Sequence, residues 1–108
     1  ITAMFVFGWT QSPVGDTSRQ LINAYIERGD QNFLVLDWSD YSVGLYTPVL
    51  IKISQISRMM GRVLMRMFKK GFSAENFHCV GHSLGAHSCG IMGREIIAIS
   101  NGNYKIGR

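Results

Sequence analysis

The segment that most narrows what this chain can fold into is Val80-Gly81-His82-Ser83-Leu84-Gly85-Ala86-His87. It closes an apolar run, Phe77-His78-Cys79-Val80, and opens a helical stretch at Leu84. Inside it lies the spacing G-x-S-x-G, with Ser83 between Gly81 and Gly85. At a sharp strand-to-helix turn a serine adopts a strained backbone and its hydroxyl stands clear of the main chain. Glycines are needed on either side because a Cβ there would meet the neighbouring strand or helix. The following helix points its N–H groups and positive dipole end back at the serine, where negative charge on an oxygen would be stabilised. The expectation is that Ser83 is a nucleophile.

The rest of the chain supplies a scaffold for such a turn. Residues 2–7 form an apolar, β-branched and aromatic run that suits a buried strand. A turn-rich loop follows from Gly8 to Gly15. Asp16, Thr17 and Ser18 offer N-caps to a helix with Leu21, Ile22, Tyr25 and Ile26 as its apolar stripe, and Gly29 is its stop. A second apolar strand runs through 33–37, ending at Asp37-Trp38-Ser39. A long helix extends from about Pro48 to Lys70, and a third strand covers 77–82. The helix from Leu84 to about Ser100 carries Gly85, Ala86, Gly90 and Gly93, small residues expected to let it lie close to the sheet. Tyr104 to Arg108 reads as another strand beginning.

Continuous apolar strands alternating with helices predict an α/β fold with a parallel sheet covered on both faces. Right-handed crossovers then bring the loops at Gly8-Trp9, Asp37-Trp38-Ser39 and His82-Ser83-Leu84 to one edge. The chain has 108 residues, which allows one domain at most. Its 46% hydrophobic and 17% charged content suits a packed core. Strand-like residues at both ends predict a piece of a longer domain, and open-edged parallel strands predict poor solubility for that piece alone. No apolar run approaches the roughly 18 residues of a membrane span.

The net charge of +4 has one address. No acid lies between Asp40 and Glu75, whereas Lys52, Arg58, Arg62, Arg66, Lys69 and Lys70 all do. Arg58, Arg62, Arg66 and Lys70 repeat at i, i+4, which predicts a solvated helix face opposite Ile53, Ile56, Met60, Val63, Leu64 and Met67; contact with anionic lipid is the alternative. Nothing points to nucleic-acid readout. Cys79 and Cys89 are expected to be two small buried thiols.

A nucleophilic serine needs two N–H donors for the oxyanion and a base. Leu84 N–H, just after the nucleophile, and Trp9 N–H, in the loop after an adjacent strand, are the expected donors. His78, His82 and His87 are all poorly placed as bases and are assigned structural roles; the base is expected outside this stretch. The three do not form a zinc site, and no metal or cofactor is expected. Asp37 is expected to hydrogen-bond its own turn.

Ala24-Tyr25, Gly29-Asp30-Gln31-Asn32-Phe33, Val35-Leu36-Asp37-Trp38-Ser39 and the segment from Val80 to His87 together resemble the pancreatic lipase family of animal neutral lipases. Asn101-Gly102 and Ile106-Gly107-Arg108 extend the likeness, so it covers nearly the whole chain. The resemblance implies a partial α/β-hydrolase core, a secreted serine esterase, and lipid esters at a lipid–water interface as substrates, with membrane or lipoprotein surfaces as possible contacts. It implies Ser83 as nucleophile, Trp9 and Leu84 as oxyanion donors, and a triad aspartate and histidine beyond Arg108. One departure stands out. The family reads His-Gly-Phe where this chain has Phe7-Gly8-Trp9, which removes a hydrogen-bonding side chain near the oxyanion loop and motivates the alternative of a non-hydrolytic lipid-binding or storage protein.

Overall fold

The computed structural model describes residues 1–108. Six elements follow the expected order: strand β1 (Thr2–Val6), helix α1 (Asp16–Arg28), strand β2 (Asn32–Val35), helix α2 (Tyr46–Lys69), strand β3 (Phe77–Gly81) and helix α3 (Leu84–Ile99). The strands form one parallel sheet in the order β2-β1-β3. Register pairs Phe5 with Val35 on one side and with Val80 on the other. Because the two crossovers run in opposite directions across the sheet, right-handedness sends α1 to one face and α2 to the other.

Central position explains why β1 is buried along its whole length, whereas β2 at the edge alternates. Within these residues Leu34 of β2 is 40% exposed. Tyr25 of α1 stacks on Phe33 at 4.3 Å, which is how the first helix holds that edge. The other edge, β3, is where the last residues of the chain lie. Arg108 N–H donates to Phe77 O and Cys79 N–H donates to Arg108 O, a parallel ladder step. The expected terminal strand is thus present as pairing rather than as a full element.

Helix boundaries hold except at two starts, that of α1 and that of α2, which begins at Tyr46 rather than near Pro48. Gly29 stops α1 in the left-handed conformation at φ 72°, as glycine readily does. Its start has Gly15 as N-cap with no side-chain bond, in place of Asp16, Thr17 or Ser18; Ser18 is buried and donates to Ser12 O at 2.7 Å. In α2 the buried line is Val49, Ile53, Ser57, Gly61, Leu64 and Phe68, and Arg58, Arg62, Arg66 and Lys70 lie exposed on the solvated side.

Small residues join α2 to α3 as well as α3 to the sheet. The Ser57 and Ser88 hydroxyls meet at 2.6 Å in the buried interface, and a Cβ on Gly61 would sit 3.1 Å from the Glu95 Cβ. On α3 the close backbone approach to the sheet is made at Gly85 and Ala86, beside Val6 and Gly81. Ala86 and Gly90 are exposed, contrary to expectation, because the inward face runs through Gly85, Ser88, Met92 and Ile96. No helix is long and apolar enough to cross a membrane.

Candidate active site at the carboxyl edge of the sheet

Ser83 sits at φ 57°, ψ −118°, between the end of β3 and the first residue of α3. That is a region L-residues rarely adopt, at a cost of about 1–3 kcal/mol that the surroundings must offset. Ser83 is exposed, and the two flanking glycines show what holds its turn. A Cβ on Gly81 would collide with the Gly85 and Ala86 backbone, and one on Gly85 with the Val6 carbonyl. Strand, turn and helix are packed backbone against backbone.

The loop after β1 lies directly against this turn. A Cβ on Gly8 would stand 2.9 Å from His82 O and 3.1 Å from Ser83 Cβ. His82 N–H donates to Val6 O at 3.1 Å, which carries the β1–β3 ladder onto the turn itself. Trp9 is 38% exposed, donates its indole N–H to Gly44 O at 3.0 Å and meets Tyr46 edge-on at 5.1 Å. Thr10 N–H donates to Ser42 O, and the Ser42 hydroxyl donates to Gln11 O at 2.8 Å. The three loops expected to meet at one edge therefore do so, tied by bonds between each neighbouring pair. The backbone N–H groups of Trp9 and Leu84 make no hydrogen bond within the chain, while the next ones, Gly85 and Ala86, are taken by His82 O and Ser83 O. Both are therefore left without an internal partner.

None of the histidines engages Ser83 through a hydrogen bond. His82 Nδ1 faces Gln11 Oε1 at 3.1 Å, and since an amide oxygen only accepts, the proton of that contact is on Nδ1. His78 is half-buried in β3, and His87 is exposed on α3. Asp37 also behaves as a local group. It accepts from the Ser39 hydroxyl at 2.6 Å and the Ser39 N–H at 3.0 Å, and these two bonds, the hydroxyl first, hold its carboxyl below the usual range.

Three features go beyond or against the sequence reading. Cys79 and Cys89 are disulfide-bonded, not free thiols. After the tight turn α3 runs back past the end of β3, which sets their Cα atoms 5.7 Å apart, inside the bonding range. Second, the Phe7 side chain is not open to solvent at the loop edge. It is fully buried and stacked on Trp38 at 5.7 Å with ring planes 11° apart. Third, Trp38 and Gln11, which sequence reasoning left without roles, touch the Gly8 loop directly: the buried Trp38 indole donates to Phe7 O at 3.0 Å, and Gln11 Oε1 accepts from Gly8 N–H at 2.6 Å. The only advance signal was Trp38 within the Asp-Trp-Ser segment; nothing marked Gln11.

Phospholipase A1 member A of Rattus norvegicus is 31% identical over 74 residues, 68% of this chain and 16% of that protein. Pancreatic triacylglycerol lipase of Myocastor coypus is 31% identical over 108 residues, 84% of this chain and 22% of that protein. Phospholipase A1 of Solenopsis invicta is 29% identical over 104 residues, covering 87% and 30% respectively. The chain thus spans less than a third of the length of these relatives. A family model described as Lipase matches residues 1–108 throughout, and the chain belongs to that family.

Proposed function

We propose that this chain forms the nucleophile-bearing part of a serine esterase with an α/β-hydrolase core that cleaves lipid esters, with Ser83 as the attacking residue. The observation that carries the reading is the backbone of Ser83 at φ 57°, ψ −118°, packed between two glycines that have no room for a Cβ. Such strain is retained where an exposed hydroxyl must be held clear of the main chain.

In the proposed reaction Ser83 Oγ adds to the ester carbonyl carbon while its proton passes to a histidine contributed from outside these residues. The carbonyl oxygen becomes an oxyanion, met by the N–H groups of Trp9 and Leu84 and by the positive end of α3. Collapse of the tetrahedral intermediate breaks the ester C–O bond, and the histidine returns its proton to the departing alcohol. Water, deprotonated by the same histidine, then releases the acid and restores Ser83. A triad aspartate, also outside these residues, would orient that histidine. Both triacylglycerol and phospholipid esters are candidate substrates, since the relatives' names cover both. The Cys79–Cys89 disulfide supports an extracellular setting.

The test is fatty-acid release by the full-length protein from emulsified triacylglycerol and from phosphatidylcholine vesicles, beside Ser83→Ala. The expected result is hydrolysis of at least one substrate, reduced at least about a thousandfold in the variant. Equal hydrolysis by both proteins would refute the assignment.

A further inference from the structure

We propose that Trp38 and Gln11 are positioning residues that clamp the Phe7–Gly8 peptide from both ends and so aim the Trp9 N–H at the oxyanion. The inference rests on the function proposed above.

The bonds leave this peptide little freedom. Its carbonyl accepts the Trp38 indole N–H at 3.0 Å and its N–H donates to Gln11 Oε1 at 2.6 Å. A trans peptide is planar, with C=O and N–H on opposite sides, so holding both fixes its rotation about the Cα–Cα axis. The next unit is set the same way. Gly8 O accepts the Gln11 backbone N–H at 3.1 Å, which turns the Trp9 N–H to the opposite side of the plane, the side without an internal partner.

Each clamp is itself anchored. Trp38 is 1% exposed and its ring lies flat on Phe7, so the indole N–H cannot swing away without opening the core. The Gln11 amide oxygen is shared with His82 Nδ1, the residue preceding Ser83, so one atom bridges the oxyanion loop and the nucleophile turn. The Gln11 backbone carbonyl is held by the Ser42 hydroxyl at 2.8 Å. Donors preset toward a developing charge need no reorganisation during the reaction, so a loosened donor should slow turnover without weakening substrate binding.

The experiment uses the full-length protein carrying Trp38→Phe, which keeps the stacking ring and removes the donor, or Gln11→Met, which keeps length and removes the amide oxygen. Active sites are counted with a fluorophosphonate, and kcat and KM are measured on a soluble p-nitrophenyl ester. Affinity for an alkylboronic acid, which forms a tetrahedral adduct on the serine, is measured in parallel. The expected result is a fall of about 10- to 100-fold in kcat per active site, KM within about twofold, and a parallel loss of boronate affinity. The double variant should lose much less than the product of the single effects, because both residues hold one peptide. If Trp38→Phe does not fold, Gln11→Met carries the same prediction alone. Unchanged kcat and boronate affinity in a folded variant would overturn the clamp while leaving Ser83 intact. Retained activity in Ser83→Ala would overturn the functional reading and the clamp together.

Discussion

Removing the Cys79–Cys89 bond with the double substitution Cys79→Ala/Cys89→Ala should destabilise the protein by an amount that follows from loop closure. The bond joins residues ten apart. A cross-link of that span removes about 9 cal/mol/K of chain entropy from the unfolded state, or about 2.7 kcal/mol at 25 °C. The cysteines are only half-buried, so lost side-chain packing adds little. For a cooperative unit of roughly 100 residues this corresponds to a drop of about 10–20 °C in Tm, and proportionately less for a larger unit. The loop it closes contains Gly81, Ser83 and Gly85, so the strained serine should relax first. Differential scanning calorimetry on wild type, double variant and dithiothreitol-reduced wild type measures the effect, and iodoacetamide on the unreduced protein counts free thiols. Two alkylated cysteines in unreduced wild type, or a Tm change under about 2 °C in the variant, would refute the reasoning.

Three further perturbations test separate parts of the site. Gly85→Ala places a methyl group against the Val6 carbonyl in a backbone-to-backbone contact with no flexible neighbour to yield; a loss of about 3 kcal/mol or more is expected in urea melts, with lost fluorophosphonate labelling. Phe7→His, which restores the family residue, puts an imidazole into a fully buried apolar site against Trp38 and should cost about 2–4 kcal/mol in the same melts without raising activity. Asp37 has its folded pKa lowered below 3.8 by the Ser39 bonds, so its stabilising contribution is complete above that value and disappears as pH falls through the folded pKa. Urea melts of wild type and Asp37→Asn should therefore differ slightly at pH 7, with the gap closing below pH 3.8; a gap that widens in acid would reverse the sign.

What was legible in the sequence follows periodicity and punctuation. The alternation of apolar strands with helices, the stop at Gly29 and the tight turn at Ser83 all come from local pattern, and the convergence of three loops follows from crossover handedness. What was not legible depends on contacts far apart in the chain. The Trp38 indole reaches Phe7 O across 31 residues, and no local pattern encodes that a tryptophan after β2 will cap a carbonyl after β1. Cys79 and Cys89 pair only because α3 doubles back past β3, and the spacing alone is equally compatible with two thiols. The buried face of α3 has a related cause: Gly85 is fixed by the turn, and the positions three, seven and eleven residues on, Ser88, Met92 and Ile96, share its face, whereas Ala86 and Gly90 do not.

The central claim is that Ser83 is the nucleophile, and the most direct measurement is the site of covalent modification. The full-length protein would be treated with a fluorophosphonate, digested with trypsin, and the adduct located by tandem mass spectrometry. The account predicts a single phosphonylated residue, Ser83, and no adduct in Ser83→Ala. An adduct on another serine, or labelling that survives the substitution, would contradict it.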